Sequence, residues 1–555
     1  MKSGFRQSMS WLHTWGGLTV GWVLYFVFLT GTLGYFDTEI DGWMKPELLP
    51  ETASTQQALL TAEKRLHEKA QGAERWFISP PGDRNNPYLR IFWQMPTQDG
   101  KPGPRVNELL NATTGEGLSG RATGGGQTLY RMHYSLHYMP PNIAYWVVGI
   151  CSMFMLIAII TGVVIHKKIF KDIFTFRSEK GQRSWLDMHN LLSVSALPFH
   201  FMITYSGLIF FVLTYMSLIV AGTYGFGEDA KNNFTNDFFS ETDKPVASGK
   251  KADLAELSAM VAIAESQWGA GQVRYLDIDH PGDSNARVTI VRQLDSPLRS
   301  SSELVFDGTT GELLTEKSAI SSQPRAVYDV FLGLHEGLFA NIGLRWLYFF
   351  SGLLGTAMIA TGMILWSVKR RPAQLKKAGG PDFGYRLVES LNLGTIVGLP
   401  IAIAAYFWAN RLLPVDFAAR SQWEMHCLFI VWLITLLYPL MRSITRGWVD
   451  MLWLAAAAYG LLPLINALTT ERHLFNSISR QDWVFAGIDL TFLSIGIAFA
   501  FAAWKLNANH QASETSIKSA PTQKPTQKLT QNPIRETYTA PTASTFSRKQ
   551  HQETH

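Results

Sequence analysis

The sequence is poor in cysteine and in charged residues. Only two cysteines occur among 555 residues, Cys151 and Cys427, and both lie inside apolar stretches. This excludes a disulfide framework and a thiolate zinc or iron–sulfur site. Charged residues make up 17% of the chain against 47% hydrophobic residues, yet the mean hydropathy is only +0.03. The balance indicates a protein that is partly embedded in a membrane and partly soluble.

Several catalytic motifs are also missing from the sequence. It has no P-loop, no GxSxG or HExxH, and no GxGxxG between a predicted strand and helix. ATP-driven transport, hydrolase chemistry and a nicotinamide or flavin domain are therefore excluded. No residue is predicted to act as a catalytic acid, base or nucleophile, and no nucleic-acid-binding signature is present. Any electrons that the protein transfers must come from a quinol or from a separate cytoplasmic reductase.

Long apolar stretches divide the chain into about eight predicted transmembrane helices in a lipid bilayer. The predicted fold is a mainly α-helical polytopic membrane protein. In it, a duplicated unit of span, insert and span forms a four-helix haem-binding core with two α/β inserts. The predicted boundaries are 1–36, 141–166, 189–221 and 341–368 for the first four spans, 37–140 and 222–340 for the inserts, 167–188 and 369–391 for cytoplasmic loops, 392–505 for four additional spans, and 506–555 for a disordered cytoplasmic tail.

Basic residues set the predicted orientation. The link after the second span carries Lys167, Lys168 and Lys171, and the fourth span ends in KRRPAQLKK (369–377). Lys and Arg gather in cytoplasmic loops. Both termini are therefore predicted to be cytoplasmic and both inserts to lie on the opposite side of the membrane.

The first 370 residues contain two copies of one unit, and this repeat is the most specific signal in the sequence. A histidine is followed seventeen and eighteen residues later by a hydroxyl residue and glycine in each copy. The inserts share NELLNATTGE (107–116) and SELVFDGTTGE (302–312). The matched positions are His13 with His189, Thr30-Gly31 with Ser206-Gly207, Leu136-His137 with Leu334-His335, and Thr161-Gly162 with Thr361-Gly362.

Histidines are the candidate site residues. Ionisable side chains at membrane depth usually face the protein interior and mark a site. A proton or metal path would recruit carboxylates, which the first four spans almost lack, so bis-histidine haem is favoured. Eight of the fourteen histidines lie in or at the ends of apolar spans: His13, His133, His137, His166, His189, His200, His335 and His426. The last of these is interpreted as structural.

Two schemes for pairing the histidines remain open. The duplication pairs His13 with His189 and His137 with His335. The alternative takes 184–211 as one helix, on which His189 and His200 share a face about 16.5 Å apart. It pairs His189 with His13 or His166, and His200 with an outer histidine. Because His133 and His137 are four residues apart and face the same way on a helix, one is expected to bind iron and the other a propionate or substrate.

Several of these pieces resemble the PepSY-associated transmembrane family of bacterial inner-membrane proteins. The resemblance covers residues 1 to about 371 and is carried by SWLHTWGGL (10–18), LPFHFMITYSGL (197–208), GLHEGLF (333–339) and RWLYFFSGLLGTAMIATG (345–362). It implies periplasmic PepSY-like inserts, haem in the helix core and, as in characterised relatives, ferric-siderophore reduction. The family's helix-end histidines fall on His13, His137, His189 and His335, whereas His133, His166 and His200 look like features of a subgroup. The four C-terminal spans go beyond the family pattern.

The leading hypothesis is an inner-membrane oxidoreductase that contains haem b, with two haems expected. It would take electrons from a quinol or a cytoplasmic reductase and reduce ferric iron, in a ferric-siderophore or other ferric chelate, in the periplasm. One rival is a non-redox membrane protein whose inserts bind peptides or regulate a protease. The other rival is a permease for a chelate.

Overall fold

The computed structural model describes residues 4–49, 52–82, 84–98, 101–166, 171, 176–177, 180–215, 217–239, 245–320 and 322–518. The described residues up to Trp504 form one compact unit. The helices described are α1 (Phe5–Gly34), α2 (Asp37–Met44), α3 (Thr55–Lys69), α4 (Gly125–Ser135), α5 (Pro141–Ile165), α6 (Gln182–Ser195), α7 (Leu197–Phe210), α8 (Val212–Tyr215), α9 (Ser217–Tyr224), α10 (Glu228–Phe239), α11 (Leu257–Trp268), α12 (Gln323–Glu336), α13 (Ile342–Leu375), α14 (Phe383–Ile396), α15 (Gly398–Leu412), α16 (Arg420–Leu437), α17 (Ile444–Gly460), α18 (Leu462–Thr469), α19 (Leu474–Ser479) and α20 (Trp483–Lys518). The strands are β1 (Arg75–Ser79), β2 (Leu89–Gln94), β3 (Arg105–Leu110), β4 (Val273–Asp279), β5 (Arg287–Arg292), β6 (Glu303–Asp307) and β7 (Leu313–Lys317).

The chain is a multi-pass membrane protein. Within the described residues, seven helical segments are long and apolar enough to span a bilayer, and the bent pair of α6 and α7 makes an eighth candidate. This agrees with the predicted number of about eight. The seven are Phe5–Gly34, Pro141–Ile165, Ile342–Leu375, Phe383–Leu412, Arg420–Leu440, Ile444–Thr469 and Trp483–Asn509.

The third predicted span is broken rather than continuous. Helix α6 ends at Ser195, α7 begins at Leu197, and the two are bent by 68°. Pro198 lies in the first turn of α7, where its missing N–H costs nothing, and proline disfavours helical backbone in the residue before it. The prediction that His189 and His200 share one face of a single helix is therefore wrong.

The two predicted inserts form one antiparallel sheet instead of two separate domains. The strand order is β3-β2-β1-β4-β5-β6-β7, so the first insert supplies three neighbouring strands and the second supplies four. They join where β1 pairs with β4, from Arg75 opposite Asp279 to Ile78 opposite Leu276. Helices α3 and α11 pack over one face through a shared apolar core that includes Leu59. Two inserts were predicted because nothing in either sequence marks an edge strand that pairs with the other.

Side chains reinforce the join on the opposite face of the sheet. The Nε of Arg75 donates a hydrogen bond of 2.6 Å to Oδ1 of Asp277. Phe77 stacks on Tyr275 across the join at 5.0 Å and on Phe92 within the first insert at 4.6 Å. Cross-strand aromatic and opposite-charge pairs of this kind each contribute about 0.2–1 kcal/mol. Side chains therefore pack on both faces of the β1–β4 pair.

The repeated TTGE segments are turns of the same design. Asn111 and Asp307 each use a side-chain oxygen to accept the backbone N–H groups of the two threonines that follow. Gly115 and Gly311 then take left-handed backbone, with φ of 74° and 76°. Glycine suits that conformation because it has no Cβ. The sequence repeat here reflects turn chemistry, not a ligand site.

The C-terminal helices dock onto the duplicated part through buried polar contacts. Trp22 on α1 donates to Oδ1 of Asn392 at 2.9 Å, and the Tyr25 hydroxyl donates to the Ile396 carbonyl at 2.9 Å. Trp43 on α2 is fully buried, and its indole N–H donates to Asp489 at 2.9 Å. The four additional spans are therefore part of the same packed body as the first four.

The predicted tail and the first cytoplasmic loop are only partly described. Helix α20 continues to Lys518, so the first residues of 506–555 are helical and not disordered as predicted. Residues 506–518 contain no proline or glycine, and a helix that is already formed propagates readily through such a sequence. Residues 519–555 lie outside the described residues, as do 167–170, 172–175 and 178–179 of the predicted loop.

Candidate functional site

The core of the duplicated part encloses two cavities at opposite ends of α1. Helix α1 packs against α5 and α13, α6 packs against α13, and α5 packs against α7. The far-side cavity, of about 290 Å³, is lined by His13, His166, His189 and His200 among others. The sheet-side cavity, of about 410 Å³, lies toward the seven-stranded sheet and is lined by His133 and His335. Both volumes are in or near the range of cofactor pockets.

In the far-side cavity, His13 and His189 face each other. Their ring centres are 6.2 Å apart and their planes are inclined by 73°. Nδ1 of His13 lies 3.0 Å from the Ala158 carbonyl oxygen, and Nδ1 of His189 lies 3.0 Å from that of Met358. The two rings are thus held from behind by α5 and α13, with their other edges directed toward the cavity they share.

In the sheet-side cavity, His133 and His335 form the second facing pair. Their ring centres are 5.9 Å apart with an interplanar angle of 41°. Nδ1 of His133 lies 2.8 Å from the Val27 carbonyl oxygen. Nδ1 of His335 lies 2.9 Å from Oγ of Ser206, whose own hydrogen is donated to the Met202 carbonyl. The His133 and His335 rings are therefore also held from behind.

All four histidines use the same kind of support. For His13, His133 and His189 a helix carbonyl accepts the Nδ1 hydrogen, and for His335 the Ser206 hydroxyl oxygen does. In each case a hydroxyl residue lies three positions after a helix carbonyl and shares its hydrogen between that carbonyl and the preceding one. The four supports are Ala158 with Thr161, Met358 with Thr361, Val27 with Thr30, and Ile203 with Ser206. A ring whose Nδ1 carries its proton to a carbonyl has an unprotonated Nε2, which can bind a metal.

The two histidines of the sheet-side cavity are in the uncharged form that can bind a metal. Burial lowers the pKa of His133, and burial together with the neighbouring His133 lowers the pKa of His335 to about 3. Both imidazoles are therefore neutral near pH 7. Neutral imidazole is the form in which histidine acts as a metal ligand.

Glycines make room for the four rings. Each hydroxyl residue of the supports is followed by glycine, and a Cβ at that glycine would meet the ring that the support holds. The closest approaches would be 2.4 Å from Gly31 to His133, 3.0 Å from Gly207 to His335, 3.1 Å from Gly362 to His189 and 3.4 Å from Gly162 to His13. Each repeated hydroxyl-glycine pair in the sequence therefore marks a place where a histidine ring packs against a helix, which is called the seat of that histidine below.

His200 lies apart from both facing pairs. It is fully buried on α7, and its Nε2 lies 3.3 Å from the Ser351 carbonyl oxygen. Its ring borders the far-side cavity, while Thr204, one turn later, borders the sheet-side cavity. The buried Nδ1 of His200 and Oγ1 of Thr204 have no hydrogen-bond partner among the described residues. The structure thus places His200 between the cavities and not opposite another histidine.

One of the two pairing schemes sets His137 opposite His335, but the structure places His133 there. Helix α4 ends at Ser135, and the chain then turns through left-handed backbone at Leu136. This turn carries His137 away from the cavity and onto Phe429 of α16, with ring centres 5.5 Å apart. His166, at the end of α5, lines the far-side cavity without belonging to the facing pair. His426 lies on α16 beside Tyr138.

Cationic side chains border both cavities. Lys369 and Arg370 line the far-side cavity, and the guanidinium of Arg370 lies 4.0 Å from the centre of the Trp366 ring. Arg299 lines the sheet-side cavity and pairs with Glu336 at 3.1 Å. In the part of the chain that the structure describes, no group of three or more His, Cys, Asp or Glu side chains is placed to hold a metal ion. Each cavity therefore offers two facing imidazoles and a nearby positive charge.

Sequence reasoning ranked His133 below His137 because the Leu-His dipeptide repeats. The signal that identifies His133 is Thr30-Gly31, whose counterparts seat the three other facing histidines. Four hydroxyl-glycine pairs predict four ring seats, two for each copy. Only a helix ending at Ser135 directs His133 into the cavity, and that end is not marked by glycine.

Comparison with known proteins found a relative and a family that match this chain. The uncharacterized protein PA4219 of Pseudomonas aeruginosa is 26% identical over 402 residues, which is 68% of this chain and 93% of that protein. Residues 10–369 match the PepSY-associated TM region family. The matched range includes both facing histidine pairs and the whole sheet, and the chain therefore belongs to the PepSY-associated TM region family.

Proposed function

We propose that this protein is a membrane oxidoreductase that holds two haem b groups and passes electrons across the bacterial inner membrane to ferric iron. The observation that carries the proposal is the pair of facing imidazoles in each cavity. With metal–nitrogen bonds of about 2.0–2.1 Å and a ring radius of roughly 1.1 Å, two imidazoles on opposite sides of one metal have ring centres about 6.3 Å apart. The measured separations are 6.2 Å and 5.9 Å.

The cavities fit haem in other respects. Haem iron is commonly held by histidine, and the haem supplies a one-electron carrier whose iron cycles between two oxidation states. The supports of the four histidines fix ring orientation and leave Nε2 directed at the cavity. Lys369 and Arg370 line the far-side cavity and would pair with haem propionates, and Arg299, itself paired with Glu336, lines the sheet-side cavity. His13 and His189 would hold one haem, and His133 and His335 the other.

The spacing of the cavities suits transfer across a bilayer. His13 on α1 belongs to the far-side pair, and Val27 on the same helix supports the sheet-side pair. Fourteen residues of helix separate them, which corresponds to about 21 Å along the axis. A bilayer core is about 30 Å thick. The two sites therefore lie toward opposite surfaces of the membrane.

Basic residues favour a cytoplasmic position for the far side. Lys369 and Arg370 lie at the far-side end of α13, and Arg6 lies at the far-side end of α1. Cytoplasmic ends of spans are rich in Lys and Arg. The sheet and the pair of His133 and His335 would then be periplasmic, and a quinol or a separate reductase would deliver electrons on the other side.

Ferric iron in a siderophore or another chelate is a suitable substrate for a protein that carries electrons across the membrane. Oxygen ligands of chelators hold Fe(III) much more tightly than the softer Fe(II), so one electron per iron releases the metal. The reaction requires no side chain to act as acid or base. The described side chains would position the two haems and hold the imidazole rings in place through their Nδ1 contacts.

The test is the visible spectrum of the purified protein after reduction with dithionite, with haem counted per chain by the pyridine haemochrome. A b-type α-band with two haems per chain supports the proposal, and reoxidation of the band by a ferric chelate supports the substrate. Absence of haem would refute the proposal. A haem-free protein would instead favour the non-redox reading, in which the histidines only pack.

A further inference from the structure

We propose that His137, Tyr138 and His426 form a surface site for ferric iron, in which His137 and the Tyr138 phenolate bind the metal and His426 accepts the phenol proton. These three residues are called the outer cluster below. The proposal deepens the proposed function by locating the iron of the substrate. The proposed function supplies only one part of this proposal, which is that the bound metal is iron.

The outer cluster lies where the substrate of a sheet-side haem would arrive. His137 follows His133 by four residues, just beyond the end of α4, and contacts Phe429 near the middle of α16. Tyr138 is 61% exposed. Its hydroxyl is hydrogen-bonded to Nδ1 of His426, and their ring centres are 5.7 Å apart. The cluster is thus open to solvent yet adjacent in the chain to a residue of the sheet-side pair.

Backbone strain holds the cluster in place. Leu136, His137 and Tyr138 have φ of 51°, 34° and 51°, three consecutive non-glycine residues in left-handed conformation. Strain of this kind gathers at functional sites. This left-handed segment places the side chains of His137 and Tyr138, which both carry metal-binding atoms, at the surface.

Aromatic packing fixes the rings without occupying their ligating atoms. His137 stacks on Phe429 with planes inclined by 13°, and Tyr138 contacts the same ring at 4.9 Å between centres. Trp423 meets the His426 ring edge-on at 5.3 Å. The nitrogens of His137 have no hydrogen-bond partner among the described side chains and backbone groups. They are therefore available to a ligand.

The donor set matches ferric iron. Phenolate is a hard anionic oxygen ligand suited to Fe(III), and imidazole serves iron in either oxidation state. On binding, the O–H bond of Tyr138 breaks, an iron–oxygen bond forms, and the proton moves to Nδ1 of His426. Two protein donors leave the remaining iron positions to chelator oxygens or water, as an exchangeable site requires.

The experiment titrates the full-length protein in detergent with gallium(III) nitrilotriacetate and follows the ultraviolet difference spectrum of tyrosinate. Gallium(III) has the charge of Fe(III) but does not accept an electron, so haem absorption stays constant. We expect a saturable tyrosinate signal that Tyr138→Phe abolishes. His137→Phe and His426→Phe should weaken gallium binding by about 10- to 100-fold.

Matched controls are Tyr205→Phe and His67→Phe, which remove an exposed phenol and an exposed imidazole elsewhere. Both should leave the signal unchanged. The proposal is overturned by absence of the signal in the native chain, by its persistence in Tyr138→Phe, or by equal losses in the controls. Elution volume on size exclusion verifies that each variant is folded. Failure of the proposed function would appear separately, as missing haem with the gallium signal intact.

Discussion

Gly31 leaves no room for a side chain beneath the ring of His133. A Cβ at Gly31 would lie 2.4 Å from Nδ1 of His133, closer than any packed carbon can approach. The same ring donates its Nδ1 hydrogen to the Val27 carbonyl, one turn earlier on α1. One helix therefore both binds the ring and makes space for it.

Gly31→Ala is expected to displace His133 and to remove the sheet-side haem. Overpacking of this kind costs about 1–3 kcal/mol, and neither the ring nor α1 can yield without breaking the Nδ1 contact. The measurement is haem per chain, which should fall by half. Gly487→Ala is the matched control, because a Cβ there has nothing within 4 Å and Gly487 lines neither cavity. Equal haem in both variants would contradict the assigned seat of His133.

Single alanine substitutions of the four facing histidines should separate the two haems. His13→Ala or His189→Ala should remove the far-side haem, and His133→Ala or His335→Ala the sheet-side haem. Each loses one of two axial ligands, and the other half of the haem content should remain with an unchanged b-type spectrum. His137→Ala should retain both haems. Loss of haem in that variant would restore the pairing of His137 with His335.

His200→Leu should retain both haems and the spectrum of bis-histidine ligation. His200 is fully buried, and its Nε2 faces the Ser351 carbonyl and not another imidazole. Leucine has a similar volume, so packing between the cavities should survive. The check is haem per chain together with the reduced visible spectrum. A halved haem content would show that His200 is an axial ligand, as the alternative pairing requires.

Arg420→Met should lower the unfolding temperature sharply. Arg420 and Glu424 form an ion pair with both side chains fully buried, and Glu424 also accepts a hydrogen bond from Asn410 at 2.8 Å. Removing one partner of a buried pair leaves an uncompensated charge and costs about 3–5 kcal/mol. The measurement is thermal unfolding in detergent.

The double variant Arg420→Met, Glu424→Met should recover much of that loss, because neither charge of the pair is left without its partner. Arg442→Met breaks the exposed pair with Asp450 and should leave the midpoint unchanged. A double variant as unstable as the single one would mean that the Arg420 stem, and not its charge, stabilises the packing.

The sequence predicted the pair of His13 and His189 because both copies keep the interval to a hydroxyl-glycine pair. It did not predict the pair of His133 and His335, because the left-handed turn at Leu136 has no glycine to mark it. The break at Ala196 was signalled by Pro198, but the two histidines flanking it suggested a continuous helix. Pairing of β1 with β4 joins segments nearly 200 residues apart, and local patterns carry no information on such contacts.

The β1–β4 ladder also has a mechanical consequence for the duplicated core. Transporters that work by alternating access rock one repeat against the other about a central site. Such rocking would have to break the backbone bonds between β1 and β4 and the ion pair of Arg75 with Asp277. The shared sheet therefore ties the two repeats together and opposes a rocking motion of one repeat against the other.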